Sequence, residues 1–207
     1  MDTTDSYKTI SRPSEETLLK EKGSKFYGYA FPVKTESDVE DCLAELKTKH
    51  KSARHFCYAY QVGTSQIYYR ANDDGEPSNS AGMPIYGQLQ SFDVTNVLVV
   101  VVRYFGGTKL GVGGLISAYK ESAKLSLEAA KIVEKTIDIH FKITFDYKDI
   151  NKVMRILKEK NIAITQQDMH LNCAIYIAVR KSEAPKVAQL FEQLYGVTIK
   201  ETEDTKA

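Results

Sequence analysis

The chain lacks what several protein classes require. No apolar run approaches the roughly 18 residues of a membrane span; the longest strong one is Val97 to Val102. The opening residues, MDTTDSYKTI, are polar and hold no signal-peptide core. A cytoplasmic address without a membrane partner is therefore expected. Cysteine is scarce: Cys42, Cys57 and Cys173 are odd in number and far apart. They offer neither a disulfide framework nor a CxxC pair for zinc, and free thiols in a reducing compartment are the simpler reading. An excess of one charge is missing too. The net charge is +1, which argues against a surface attracted to nucleic acid as a whole. Cutting at Val133 exposes no basic half, since 16 basic residues meet 16 acidic ones before it and 12 meet 11 after it. Nucleic-acid binding would need a local patch.

Catalytic signatures are absent as well. There is no Walker-type loop closed by Gly-Lys-Ser/Thr, no GxGxxG, no HExxH, no GxSxG and no paired-carboxylate pattern. No cofactor is expected. His50, His140 and His170 are isolated in sequence and carry no assigned role.

What the chain does have is NVLVVVVRYFGGTKLGVGGLISAY, from Asn96 to Tyr119. It reads as a buried strand, a glycine-rich loop and a helix. Five of the nine residues from Gly106 to Gly114 are glycine, in a chain with only 12. Glycine costs backbone entropy, so it gathers where φ must be positive or where something approaches the main chain closely. Main-chain N–H groups, a helix start and the cations Arg103 and Lys109 would cradle a phosphate or another anion. The competing reading is a tight strand-to-helix turn. Arg103 and Tyr104 end the strand on opposite faces. Tyr104 and Phe105 could stack on bases, although core packing is favoured for Phe105.

Asp73, Asp74 and Glu76 form an acidic knot that could hold Mg²⁺, but an Asp-Gly turn at Asp74-Gly75 uses the same residues and is the favoured reading. His55 and Cys57 fall on one strand face, where a thiolate–imidazole pair is conceivable but inert core is the simpler assignment.

The remaining pattern predicts α+β architecture. Residues 1 to about 20 read as loosely attached. Lys25–Lys34 reads as a strand, and Ser37 with Glu40 as a capping box for a helix burying Val39, Cys42, Leu43 and Leu46. Arg54–Val62 and Gln66–Ala71 read as a hairpin, and about 81 to 90 as a short helix. After the glycine loop, Ile116, Tyr119, Ala123, Leu127 and Ala130 form an apolar stripe. From Lys135 the order is β-α-β-β-α-β, the ferredoxin-like pattern, with Asp146 or Asp149 and then Ser182 as helix caps.

VVVRYFGGTKLGVGGLISAY resembles the signature of the YigZ/Impact family. KGSKF at Lys22–Phe26, RHFCYAY at Arg54–Tyr60 and DDGEPSNSAGMP at Asp73–Pro84 agree with it, in the family's order. The resemblance covers nearly the whole chain. It implies two two-layer domains: an Impact-type domain over 1–134, similar to the second domain of ribosomal protein S5, and a ferredoxin-like domain over 135–207, similar to one of elongation factor G. It implies a link to translation, because both structural relatives work on the ribosome and the eukaryotic Impact proteins regulate translation. Arg103, Gly106, Gly107, Lys109, Gly111, Gly113 and Gly114 match the motif and inherit its role; Arg54 and His55 join them through RHFCYAY. Two positions depart from the pattern: Ser117 stands where bacterial relatives often carry Arg or Lys, and Ser80 where Thr is usual.

Three functions follow as expectations. The first is a non-enzymatic regulator of translation that contacts RNA, the ribosome or a translation factor through residues 103–114. The second is an enzyme or sensor for a small phosphorylated ligand, with Mg²⁺ on Asp73, Asp74 and Glu76. The third is a protein–protein adaptor.

Overall fold

A computed structural model describes residues 5–170 and 172–202. They form two compact units: Tyr7–Lys135, and Thr136 onward together with the residues up to Ser6. Among the described residues no helix is long and apolar enough to cross a membrane.

The first unit is built on a five-stranded antiparallel sheet. Its strands are β2 (Thr17–Glu21), β3 (Ser24–Pro32), β4 (His55–Val62), β5 (Tyr68–Asn72) and β6 (Val97–Tyr104), in the order β2-β3-β6-β4-β5. β6 lies at the centre, and its two-residue alternation serves two cores. Val97, Val99 and Val101 face α2 (Gly82–Ser91) and α3 (Gly111–Glu128), beside Ile85, Leu89, Tyr119 and Leu127. Leu98, Val100 and Val102 face α1 (Glu36–Lys49), beside Val39 and Leu46. This unit has helices on both sheet faces, three layers where two were expected. A strand buried on both faces reads as a continuous apolar run, which is what VLVVVV is.

Several local expectations shift. The capping box on α1 is Thr35 with Asp38: the Asp38 N–H donates to Thr35 Oγ1, and Asp38 Oδ2 accepts from the Thr35 N–H. Ile116 is 38% exposed, because α3 turns Leu115, Ala118, Ser122 and Ser126 to the sheet along with Tyr119. The small serines let α3 lie close: a Cβ on Gly28 would come within 2.2 Å of Ser126 Oγ. The early segment is also better ordered than its polarity suggested. β1 (Ser6–Ile10) pairs with β7 (Ile132–Thr136), Ile10 is 1% exposed, and the Ser11 N–H donates to the Lys131 carbonyl. Residues 1–4 lie outside the described ones.

The second unit runs β8 (Asp138–Asp146), a 3-10 turn (Tyr147–Asp149), α4 (Ile150–Glu159), β9 (Ile164–Met169), β10 (Asn172–Arg180), α5 (Ala184–Glu192) and β11 (Val197–Thr202). Its antiparallel sheet has the order β11-β8-β10-β9. Val153, Leu157, Val187 and Phe191 from the helices bury Phe141, Ile143, Ile175 and Ile177. Asp149 stands at the cap position of α4 without a side-chain capping bond, and Glu183, not Ser182, precedes α5.

Candidate nucleic-acid interface

β6 ends where β3 and β4 begin, so three segments meet at one end of the first unit's sheet. The register places Phe26, Arg103 and His55 in one row, and Lys25 beside Tyr104. The two-residue turn between β2 and β3, Lys22–Gly23, has φ of 45° and 80°. Such paired positive angles match the strand twist of a tight hairpin. Gly106 rests against this turn. A Cβ there would lie 1.9 Å from the Gly23 carbonyl carbon, so only hydrogen fits, and the Gly106 N–H donates to Ser24 Oγ at 3.2 Å.

Beyond that contact the loop opens to solvent. Gly107, Thr108 and Lys109 are exposed, and their N–H groups meet no acceptor among the described residues. Gly107 and Gly111 have φ of 88° and 72°, and a Cβ on Gly107, Gly111 or Gly113 would meet nothing. α3 starts with no side-chain cap and no acidic residue in its first turn. Its orphan donors and positive dipole end stay uncompensated. Around this loop Lys22, Lys25, Arg54 and Lys109 are exposed and form no ion pair among the described residues. Lys22 and Lys25 escaped the sequence reading. The signal was the KGSKF segment, but only the Gly23–Gly106 approach shows that it adjoins the loop.

Arg103 is committed elsewhere. It is 6% exposed, and its guanidinium meets Glu76 Oε1 at 2.6 Å. It lies between the rings of Phe26 and Phe105, 5.5 and 5.7 Å from their centroids. The same Glu76 oxygen accepts from the Tyr119 hydroxyl at 2.8 Å. Cys57 Sγ lies 3.3 Å from that hydroxyl and 2.9 Å from the Asp73 carbonyl. Burial pushes the Cys57 thiol and the Tyr119 hydroxyl well above their usual ranges. Cys57 is thus a buried thiol rather than a nucleophile. His55 does not pair with it: its Nδ1 meets the Asp74 carbonyl at 2.9 Å.

The acidic knot is spent on the backbone. Asp73 Oδ1 accepts from the N–H groups of Ala81 and Gly82, capping α2 from outside, and its Oδ2 accepts from Asn79. Asp74 Oδ2 accepts from the Phe56 N–H at 2.6 Å. With Glu76 on Arg103 and Tyr119, no two of the three carboxylates share a partner. Among the described residues no group of three or more His, Cys, Asp or Glu converges as metal ligands would.

Tyr104 lies on the opposite sheet face from Arg103. Its hydroxyl is 3.0 Å from His50 Nδ1, His50 Nε2 is 2.6 Å from the Tyr29 hydroxyl, and Tyr29 donates to Glu16 Oε2. Because the Tyr29 proton goes to the carboxylate, His50 Nε2–H donates to Tyr29, and Nδ1 accepts from Tyr104. This is neutral histidine, and burial holds its pKa below the usual value. Lys49 completes the chain on Glu16 at 2.8 Å, which together with Tyr29 lowers the Glu16 pKa. In front of this relay, Gly23, Lys25, Tyr27, Tyr104 and Phe105 line a pocket of about 270 Å³. Phe105 is 58% exposed, a surface aromatic and not a core one.

Fold and site together define a two-unit α/β protein that presents an uncapped, glycine-built helix start at the end of an antiparallel sheet. The chain belongs to the Impact family: the model of the Impact N-terminal domain matches residues 22–127. It is 32% identical over 189 residues to IMPACT family member YvyE of Bacillus subtilis (strain 168), covering 91% of this chain and 87% of the relative. It is 30% identical over 156 residues to IMPACT family member YigZ of Escherichia coli (strain K12), covering 73% and 74%. A crystal structure described as that of a hypothetical protein shares the fold, with a TM-score of 0.71 and 23% identity over 99% of this chain and 100% of that one.

Proposed function

We propose that this chain is a non-enzymatic, translation-associated binding protein that takes hold of RNA, on or off the ribosome, through the loop from Gly106 to Gly114. The observation that carries the reading is the set of exposed N–H groups at Gly107–Lys109 that meet no acceptor among the described residues, beside a helix start without a side-chain cap and four exposed cations with no ion pair among those residues. Such donors serve the phosphate backbone, not base identity. Arg103, buried against Glu76, shapes this surface from beneath and does not touch the ligand. Family membership supplies the translational context, since the resemblance ties Impact proteins to translation. In this reading the first unit is similar to the second domain of ribosomal protein S5. The second is ferredoxin-like, which its strand order β11-β8-β10-β9 supports. A cytoplasmic location goes with such a partner.

Fluorescence-anisotropy titration of labelled ribosomal RNA fragments at 50 and 200 mM salt tests this. With three or four phosphates engaged, log K against log salt should fall with a slope of roughly −2 to −4. Absence of binding at 50 mM salt would overturn the proposal. The adaptor reading has one observation in its favour: the edge strand β5 leaves Tyr68 63% and Tyr69 55% exposed. Pull-down of a single protein after nuclease treatment would support it instead.

A further inference from the structure

We propose that the pocket formed by Lys25, Tyr27, Tyr104 and Phe105 holds one unstacked base of single-stranded RNA, while a neighbouring phosphate sits on the amides of Gly107–Lys109. The inference rests on the reading of the loop given above and deepens it, by naming the form of RNA and the part of it that is recognised.

Three features converge on this ligand. The first is the wall chemistry. Three aromatic rings and one ammonium line the pocket, with Gly23 and no acidic side chain among them. The volume of about 270 Å³ lies just below the range of roughly 300–1,000 Å³ common for drug-sized ligands, which suits one ring system. The second is preorganisation. Tyr27 and Tyr104 meet edge to face with centroids 5.7 Å apart, and His50 backs both at 5.3 and 5.8 Å. The hydrogen bond from Tyr104 to His50 Nδ1 fixes the Tyr104 ring before any ligand arrives. Phe105 stands at the mouth with most of its ring in water, steadied by the Arg103 guanidinium 5.7 Å away. The flat face of a base would cover it.

The third feature is continuity. Phe105 directly precedes Gly106, and at 3.3–3.6 Å per residue the Gly107 backbone lies within roughly 7 Å of it. A base and its own phosphate can therefore reach the two sites together. Lys25 lines the pocket, Lys22 adjoins its Gly23 and Lys109 lies in the loop that follows Phe105, and none of the three has an ion-pair partner among the described residues. A base locked in a duplex cannot offer its face to Phe105, so recognition of this kind selects single strands. Stacking tolerates every base, so little sequence preference is expected.

The test uses the full chain with a fluorescein-labelled 12-nucleotide single strand and a duplex of the same length, in low salt. Phe105→Ala should weaken single-strand binding roughly tenfold or more, while leaving its salt slope and duplex binding unchanged. Phe105→Tyr should restore it. Lys109→Ala should weaken both RNAs and reduce the single-strand salt slope by about 0.7. A 2-aminopurine placed in the strand should be quenched on binding to wild type and not to Phe105→Ala. If Phe105→Ala binds the single strand like wild type while Lys109→Ala is impaired, the pocket proposal fails and the phosphate reading stands. If wild type binds neither RNA, the phosphate reading fails and takes the pocket with it.

Discussion

Arg103 and Glu76 show how a charge prominent in a motif can serve the fold. Their side chains are only 7% and 5% exposed, and the guanidinium Nε has no hydrogen-bond partner among the described residues. Removing one member of such a pair strands a buried charge. Glu76→Ala should lose about 3–5 kcal/mol in urea unfolding, whereas the double replacement Arg103→Met with Glu76→Leu should recover most of it. His50 supplies a pH prediction. Its folded pKa is lowered, chiefly by burial, from the ordinary value of 6.5. The unfolded state therefore binds more protons just below that value, and stability that is complete above pH 6.5 declines as pH falls toward the lowered value. Urea midpoints measured between pH 7.5 and 5.5 should show the decline, and His50→Gln should flatten it. The sequence marks Arg103 as unusual because an arginine ends an otherwise apolar strand. It cannot mark Glu76 as the partner, since alternation assigns a face but not what lies over it. His50 carries no signal in the sequence: its partners Tyr29 and Tyr104 come from two distant strands, and Glu16, which accepts from Tyr29, from a third part of the chain.

At the level of elements, the loop's glycines divide into two kinds. Gly106 is glycine because the β2–β3 turn touches it, and Gly106→Ala should force the two apart and lower the thermal midpoint. Gly113 has open space and no positive φ. Gly113→Ala should stabilise the protein by about 0.5–1 kcal/mol, as read by denaturant midpoint, while RNA affinity falls if phosphate must approach that backbone. The cluster of five glycines is legible in the sequence; their division of labour is not, because it depends on the distant Gly23. The same limit explains the missed strands. β1, β2 and β7 are short and carry polar or charged residues, so their periodicity is weak, and their pairing partners come from elsewhere in the unit. Long, strongly patterned elements such as β6 and α3 were legible to within a residue or two. Two members of the expected stripe on α3 depart from it: Ile116 is exposed, and Ala130 lies past the helix end at Glu128.

For the molecule as a whole, each unit buries its own core, so each is a candidate for folding alone. A fragment spanning residues 7–135 should fold and retain the RNA affinity and salt slope of the full chain, checked by anisotropy; loss of binding in a folded fragment would assign part of the site to the other unit. The β6–α3 connection and its cations all lie within that fragment. Sequence composition does not show this grouping of exposed cations, because the charges of the two halves nearly balance and their lack of ion pairs among the described residues is apparent only in space.

The backbone passes between the units twice, once after Ser6 and once after Lys135. Asp5 remains with the later residues, its carboxylate 2.7 Å from Arg180 Nε and its carbonyl accepting from the Ile137 N–H. A protease that nicks the chain at Lys135 would therefore cut only one of the two crossings: the residues up to Ser6 would stay in one covalent piece with the first unit, and the Asp5–Arg180 pair, at about 1 kcal/mol or less, would not by itself hold the other piece to it.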